Sequence, residues 1–407
     1  MRLLKKLKIW RSPVQTARPS FTDHVLSTNP QIILVSHEAS RTGAPLILLN
    51  LLRYFQQQFP AEYFALLHEG GVLHADFAQL ATTDCLDLPR HPSPNLSRRI
   101  AQWIQLHRID PARAVAVCNS MESRFITEQL HAHRIPVVSL IHELPSSYSE
   151  SDYQLVYSAS EKVVFPAQCV RTATDLKLSI PHDKALVMPQ GLLNPRFGSH
   201  LNRHHARQAI RHELNLPDTA RIVLGCGTLD MRKGIDHFAQ VAMAMLRNVA
   251  IKHPVHFVWI GDGPRWPHST FHYVQMDLHK QGASRQVHFI GERDDVQPYF
   301  LAADAFLMSS RVDPFPCVIH EAMAAELPIV TFSDNGGACE ALADGAGIVV
   351  PYGDYVQAAK AIGNVLQNRE LSKQLTSEGK RRVQYHYNFA DYGHKLLHLT
   401  RSYLPAA

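Results

Sequence analysis

The residues best placed to do chemistry lie in RVDPFPCVIHEAMAAELP, between Arg311 and Pro328. Asp313 and Glu321 stand eight positions apart. Asp-Pro-Phe-Pro cannot continue a helix, whereas the run from Cys317 onward forms one readily. This puts Asp313 in a rigid loop and Glu321 about one turn inside the following helix. A helix start offers free N–H groups and the positive end of a dipole, which suits a phosphate. A carboxylate accepts hydrogen bonds from the paired hydroxyls of a ribose or hexose. On spacing alone, the pair also reads as a helix cap and a solvated helix residue.

A second such stretch is RIVLGCGTLDMRKG, Arg221 to Gly234. A β-run ends at Gly225-x-Gly227, where the backbone can approach a ligand. Arg232 and Lys233, just before the next helix, can neutralise a diphosphate. Basic pairs before helices are also commonly just solvated. Trp259–Pro264 (WIGDGP) is a strand and a tight turn. His37 and His142 each follow an apolar strand, where a packed histidine is the alternative to a functional one.

These residues need a scaffold, and short apolar runs supply it. They are Gln31–Ser36, Tyr63–Leu67, Ala114–Cys118, Val137–Ile141 and Lys162–Phe165. After a Pro- and Gly-containing pause at Val187–Phe197 come Arg221–Gly225, His256–Ile260, Gln286–Ile290, Ala305–Met308, Ile329–Phe332 and Gly347–Val350. Helical patterns separate the runs, which predicts two doubly wound α/β halves with parallel sheets. A ligand cleft then lies between the carboxyl ends of their strands.

Composition narrows the function classes. The 407 residues are 45% apolar and 19% charged, enough for two or three globular domains. The net charge is +5, but residues 1–20 carry six basic groups and no acid, so the remainder sums to −1. No broad nucleic-acid surface is expected. No apolar stretch is long enough to span a bilayer, and the N-terminus lacks the apolar core of a secretory signal. The six cysteines include no CxxC, and the 25 histidines form no HExxH or HxH. Reduced thiols, no metal site and a cytoplasmic location are expected. Residues 2–11 interleave Lys5, Lys6 and Lys8 with Leu, Ile and Trp. They read as a helix on an anionic membrane surface or as a basic tail.

In this order, the segments GTLDMRKGIDHFAQVA, FVWIGDGP, VHFIGERDDVQPYFLAADAFLMSSR, DPFPCVIHEAMAAELPIV and NGGACEAL resemble the retaining glycosyltransferase family 4. The resemblance implies a GT-B fold, two Rossmann-like domains facing a central cleft. With the basic amphipathic segment at 1–28 set apart on its composition, it implies an acceptor-side domain at 29–188 and a nucleotide-sugar donor domain at 189–384. A C-terminal helix at 385–407 would return to the first domain. The family's E-x7-E lies on Asp313 and Glu321. By this resemblance Arg232 and Lys233 bind the donor diphosphate, Glu321 the ribose and Asp313 the sugar hydroxyls. Cys317 and Val318 offer amides to phosphate, Glu292 and Arg293 flank the nucleobase, and Gly227 lies near the donor. Gly43 and Ala44 match the first glycine-rich loop, and His142 the histidine that reaches the donor sugar.

The family pattern is departed from in three places. Asp313 replaces a glutamate, Ala44 the second glycine of the loop, and Glu326-Leu327 the glycine before Pro328. The implied activity is retaining, metal-independent transfer of a sugar from a nucleotide-diphosphate donor to a glycan or lipid-linked acceptor in bacterial envelope polysaccharide synthesis. No cofactor is implied. The alternatives are a nucleotide-sugar epimerase or hydrolase of the same fold, or a non-catalytic binding protein.

Overall fold

The structure is a computed structural model that describes residues 29–87, 94–178, 181 and 183–405. The amphipathic segment expected at 1–28 lies outside the described residues. Two parallel sheets organise the chain. The first contains β1 (Gln31–Ser36), β2 (Glu62–Leu67), β3 (Thr82–Cys85), β4 (Ala114–Asn119), β5 (Val137–Leu140), β6 (Lys162–Phe165) and β7 (Ala185–Val187). Its order is β3-β2-β1-β4-β5-β6-β7. The second contains β8 (Arg221–Cys226), β9 (Val255–Ile260), β10 (Val287–Phe289), β11 (Ala305–Met308), β12 (Ile329–Phe332) and β13 (Ile348–Val350), in the order β10-β9-β8-β11-β12-β13.

The central strands are apolar on both faces because helices cover both. β1 is buried along its whole length, as is β4. The pairing registers Gln31 with Ala114 and Ser36 with Asn119, so the two strands end together. In each sheet the strand order reverses beside the first strand, between β1 and β4 and between β8 and β11. The loops leaving these strands therefore diverge and open a crevice at the carboxyl ends.

Sequence patterning missed the edge strands β3 and β7. β3 reads TTDC and is only partly buried, so it has no apolar run to reveal it. β7 has only three residues.

Contacts among the described residues tie the two sheets' domains to each other and to the linker between them. The helix Phe389–Arg401 packs on the helix Gly43–Gln58, burying Phe389, Tyr392, Leu396 and Leu397 with the first domain's core. Glu340 accepts hydrogen bonds from the Gln168 and Cys169 amides at 3.1 Å, capping the helix Gln168–Lys177 from the other domain. Gln190 Nε2 donates to the Phe315 carbonyl at 3.1 Å. Arg41 and Asp294 pair across the mouth of the cleft.

Candidate active site in the interdomain cleft

A cavity of about 430 Å³ lies between the two domains. The loop after β1 and the start of the helix Gly43–Gln58 form one side of it. The loops after β8 and β11 and the start of the helix Cys317–Ala324 form the other. Eight sequence-predicted residues meet here: Gly43, Ala44, His142, Arg232, Lys233, Asp313, Cys317 and Val318.

Two helix starts thus face one space. A Cβ added at Gly43 would lie 3.7 Å from Cys317 Sγ, so the two starts are nearly in contact. Neither helix has a side-chain cap or an acid in its first turn. Their free amides and dipoles add positive potential to that of Arg232 and Lys233.

Asp313 occupies a seat built by close backbone approach. Its amide donates to the Asn335 carbonyl at 2.8 Å, and it forms an isolated bridge with Gly336. Gly336 has φ of +105°, and any Cβ there would stand 2.1 Å from the Asp313 carbonyl oxygen. The Asp313 carboxylate, 8% exposed, bonds Lys233 Nζ at 2.5 Å. The Lys233 stem packs over Gly227, where an added Cβ would lie 3.2 Å from Cγ and Cδ. Asp230 Oδ1 accepts from the Lys233 amide at 2.8 Å and fixes the turn. Arg232 is exposed at the cavity wall.

His142 is held by a relay that fixes its tautomer. Asn119 Nδ2 donates to the Ala44 carbonyl at 2.8 Å, which leaves Asn119 Oδ1 as an acceptor. His142 Nε2 lies 2.7 Å from that oxygen and must donate to it. Nδ1 is then the ring's acceptor. Burial, with His37 nearby, pulls the His142 pKa down to about 4, so the ring is neutral at pH 7.

Sequence reasoning missed Asn119, Glu143 and Gln190. The Glu143 carboxylate accepts from Ser120 Oγ, the Met121 amide at 3.1 Å and the His142 amide at 2.9 Å. Burial holds its pKa above the usual carboxylate range. A polar residue closing the apolar run AVAVC was the available signal for Asn119. Nothing local marks Gln190.

Four predicted residues lie outside the cavity lining: Gly227, Glu292, Arg293 and Glu321. Arg293 is engaged elsewhere, with Tyr299 Oη at 2.8 Å and Glu213 at 3.1 Å. Glu321 lies one turn into its helix, beside Cys226 and Cys317, whose thiols burial and this carboxylate raise to about 12. Burial pushes Glu321 itself up to about 7. All six cysteines are free. Among the described residues no group of three or more His, Cys, Asp or Glu could hold a metal ion.

Comparison with known proteins identifies the domain that carries most of these residues. The chain is 31% identical over 170 residues to the lipopolysaccharide core biosynthesis glycosyltransferase LpsE of Rhizobium meliloti, covering 42% of this chain and 46% of that protein. It is 24% identical over 247 residues to the Escherichia coli UDP-Gal:alpha-D-GlcNAc-diphosphoundecaprenol alpha-1,3-galactosyltransferase, covering 58% and 61%. The matches span about half the length of the curated relatives. Anabaena Alr3699/HepE, solved in complex with UDP and glucose, superposes with a TM-score of 0.76 at 17% identity, covering 92% of this chain and 100% of that one. The fold is therefore GT-B. Residues 206–382 match the family model described as glycosyl transferases group 1, and Arg232, Lys233, Asp313 and Glu321 all fall within that match.

Proposed function

We propose that the chain is a retaining glycosyltransferase that moves a sugar from a nucleoside-diphosphate sugar to a glycan or lipid-linked acceptor in bacterial envelope polysaccharide assembly. The observation that carries this reading is the convergence of two uncapped helix starts, Arg232 and Lys233 on one interdomain cavity. That arrangement suits a diphosphate whose negative charge grows as its bond to the sugar breaks. The names of the relatives point to the same chemistry.

In this reading the anomeric C–O bond to the diphosphate breaks as the bond to the acceptor oxygen forms on the same face. The acceptor proton passes to the departing phosphate oxygen, and no enzyme nucleophile takes part. Arg232, Lys233 and the Cys317 and Val318 amides hold the leaving diphosphate without a metal. Asp313 accepts from a sugar hydroxyl while still neutralised by Lys233. His142 accepts another at Nδ1. Glu321 holds the ribose, and Glu292 and Arg293 lie by the base. We place the enzyme in the cytoplasm, on the membrane's inner face through residues 1–20. Among the described residues no helix is long and apolar enough to cross a membrane.

A thermal-shift screen against UDP, GDP, dTDP and CMP identifies the base, because a ligand of the native state raises its stability. A proton NMR time course of the matching donor with acceptor, in excess EDTA, then reads the anomer. A retained anomer is expected. An inverted one, or activity restored only by a divalent ion, overturns the mechanism. Rapid turnover of donor without acceptor favours a hydrolase or epimerase.

A further inference from the structure

A second basic cavity lies at the other end of the C-terminal sheet. Arg221 opens β8, Asp304 immediately precedes β11 and Pro328 precedes β12, so this is the sheet's amino edge. The donor residues sit at the carboxyl edge, which makes the two sites separate.

Three guanidinium groups gather here on one carboxylate. Asp304, 5% exposed, bonds Arg207 at 2.7 Å, Arg221 at 2.9 Å and Arg211 at 3.6 Å. Its second oxygen also accepts from the Ile222 amide at 3.0 Å. Arg207 and Arg221 line two adjoining cavities of about 410 and 430 Å³. Across both, the lining arginines are Arg203, Arg207, Arg211, Arg221 and Arg369, and the acids are Asp218, Asp304 and Glu326. Five positive and three negative charges leave a surplus of two. Glu326 is moreover already paired with Lys380 at 2.6 Å.

This surplus is partly buried. Arg211 is 6% exposed, and the Nε atoms of Arg207 and Arg211 are buried without a hydrogen-bond partner. Like charges held together away from water are costly unless an anion joins them. A phosphate monoester carries about −1.5 to −2 near neutral pH, and its oxygens match the guanidinium fork. His204, His253 and Thr219 line the first cavity as further polar partners, and Ser372 the second.

We propose that this amino-edge cavity binds a phosphate monoester at a site distinct from the donor cleft. The test is thermal unfolding of the full chain in sodium phosphate against sodium chloride at matched ionic strength. A rise of roughly 3 °C is expected at phosphate well above its Kd. The rise should persist in Lys233→Ala/Asp313→Asn, which alters only the donor cleft, and vanish in Arg221→Gln. Arg369→Gln lines the cavity without bonding Asp304, so it should fold normally and weaken the response. Two further arms separate the sources of the monoester. Glycerol phosphate giving a saturable phosphorus NMR shift assigns a free metabolite. Sedimentation with phosphatidate vesicles in excess of that with phosphatidylglycerol vesicles of equal charge, the excess lost in Arg221→Gln, assigns a lipid headgroup. A rise equal in both salts, or one lost in the cleft variant and kept in Arg221→Gln and Arg369→Gln, overturns the proposal.

Discussion

The C-terminal wall of the cleft is charged. Arg232, Lys233 and Asp313 project from loops after β8 and β11, and the buried Lys233–Asp313 pair is their centre. The N-terminal wall centres on an uncharged histidine. His142 is neutral at pH 7, burial raises the pKa of the Glu143 carboxyl beside it, and backbone amides and Asn119 fix both. In the proposed reaction the charged wall, with the start of the helix Gly43–Gln58, meets phosphate charge, and the His142 side orients hydroxyls. Breaking the first should therefore cost rate, and loosening the second should cost alignment.

The largest effect should come from Lys233→Ala. Removing one preorganised donor to developing charge costs about 2.7–4 kcal/mol, or roughly 10²–10³ in kcat. The structure adds a second consequence. Truncating Lys233 strands the Asp313 carboxylate, and breaking a buried pair from one side costs about 3–5 kcal/mol of stability. The double variant Lys233→Ala/Asp313→Asn should recover stability but not kcat. Urea unfolding beside steady-state transfer separates the two. If the double variant regains the parental rate, the pair is structural and the charged-wall reading fails.

A smaller effect is expected on the neutral wall. Asn119→Leu removes the acceptor that fixes the His142 tautomer, so Nδ1 no longer presents a lone pair reliably. Transfer should slow by about tenfold, on the order of 1.4 kcal/mol, while free nucleoside diphosphate binds as before. His142→Ala should match it. Calorimetric binding of the nucleotide checks the separation. Equal weakening of nucleotide binding by both variants would mean that the two walls share one task.

How each wall could be read from the chain follows from the same difference. Arg232, Lys233, Asp313, Cys317 and Glu321 lie in two continuous stretches where a Gly turn or a DPFP loop meets a helix. Their chemistry and position are local, so the sequence displays them together. The neutral wall is assembled from residues 119, 142 and 190, which meet only through the order of strands β1, β4 and β5 and the linker after β7. Asn119 was hidden as the last residue of an apolar strand. Gln190 was hidden because its partner, the Phe315 carbonyl, lies 125 positions away. The alternation of strands and helices was legible because both sheet faces are buried. The edge strand β3 was not, because its TTDC sequence is only partly buried and carries no apolar run.

Glu321 allows a pH test of the charged wall. Burial pushes its carboxyl up from the usual 4.5 to about 7. A raised carboxyl contributes stability that is fully present below pH 4.5 and lost as pH rises through 7. The loss amounts to at most about 3 kcal/mol. Glu321→Gln should flatten the stability profile between pH 4.5 and 8, as read by urea unfolding. If the carboxylate accepts from ribose hydroxyls, donor binding should also tighten as pH rises through 7 and lose that dependence in Glu321→Gln. A pH-independent donor KM in the parent would remove Glu321 from the ribose.

The smallest effect should come from the pair that joins the walls at the cleft mouth. Arg41 and Asp294 are 49% and 89% exposed at their side chains. Exposed ion pairs typically contribute about 0.2–1 kcal/mol, and salt screens them. Arg41→Ala should therefore leave thermal stability nearly unchanged. Its position gives it a different role. Arg41 lies in the loop after β1, two residues before Gly43, and Asp294 follows the Glu292-Arg293 segment assigned to the base. Pairing them restrains the cavity's two walls at its entrance. Loss of the pair should raise the donor KM by less than about fivefold, at most 1 kcal/mol. The difference between variant and parent should shrink in high salt, where the parent's pair is already weakened. A KM change that is independent of salt would place Arg41 in contact with the donor itself, and the two walls would then no longer divide their work between phosphate and hydroxyl.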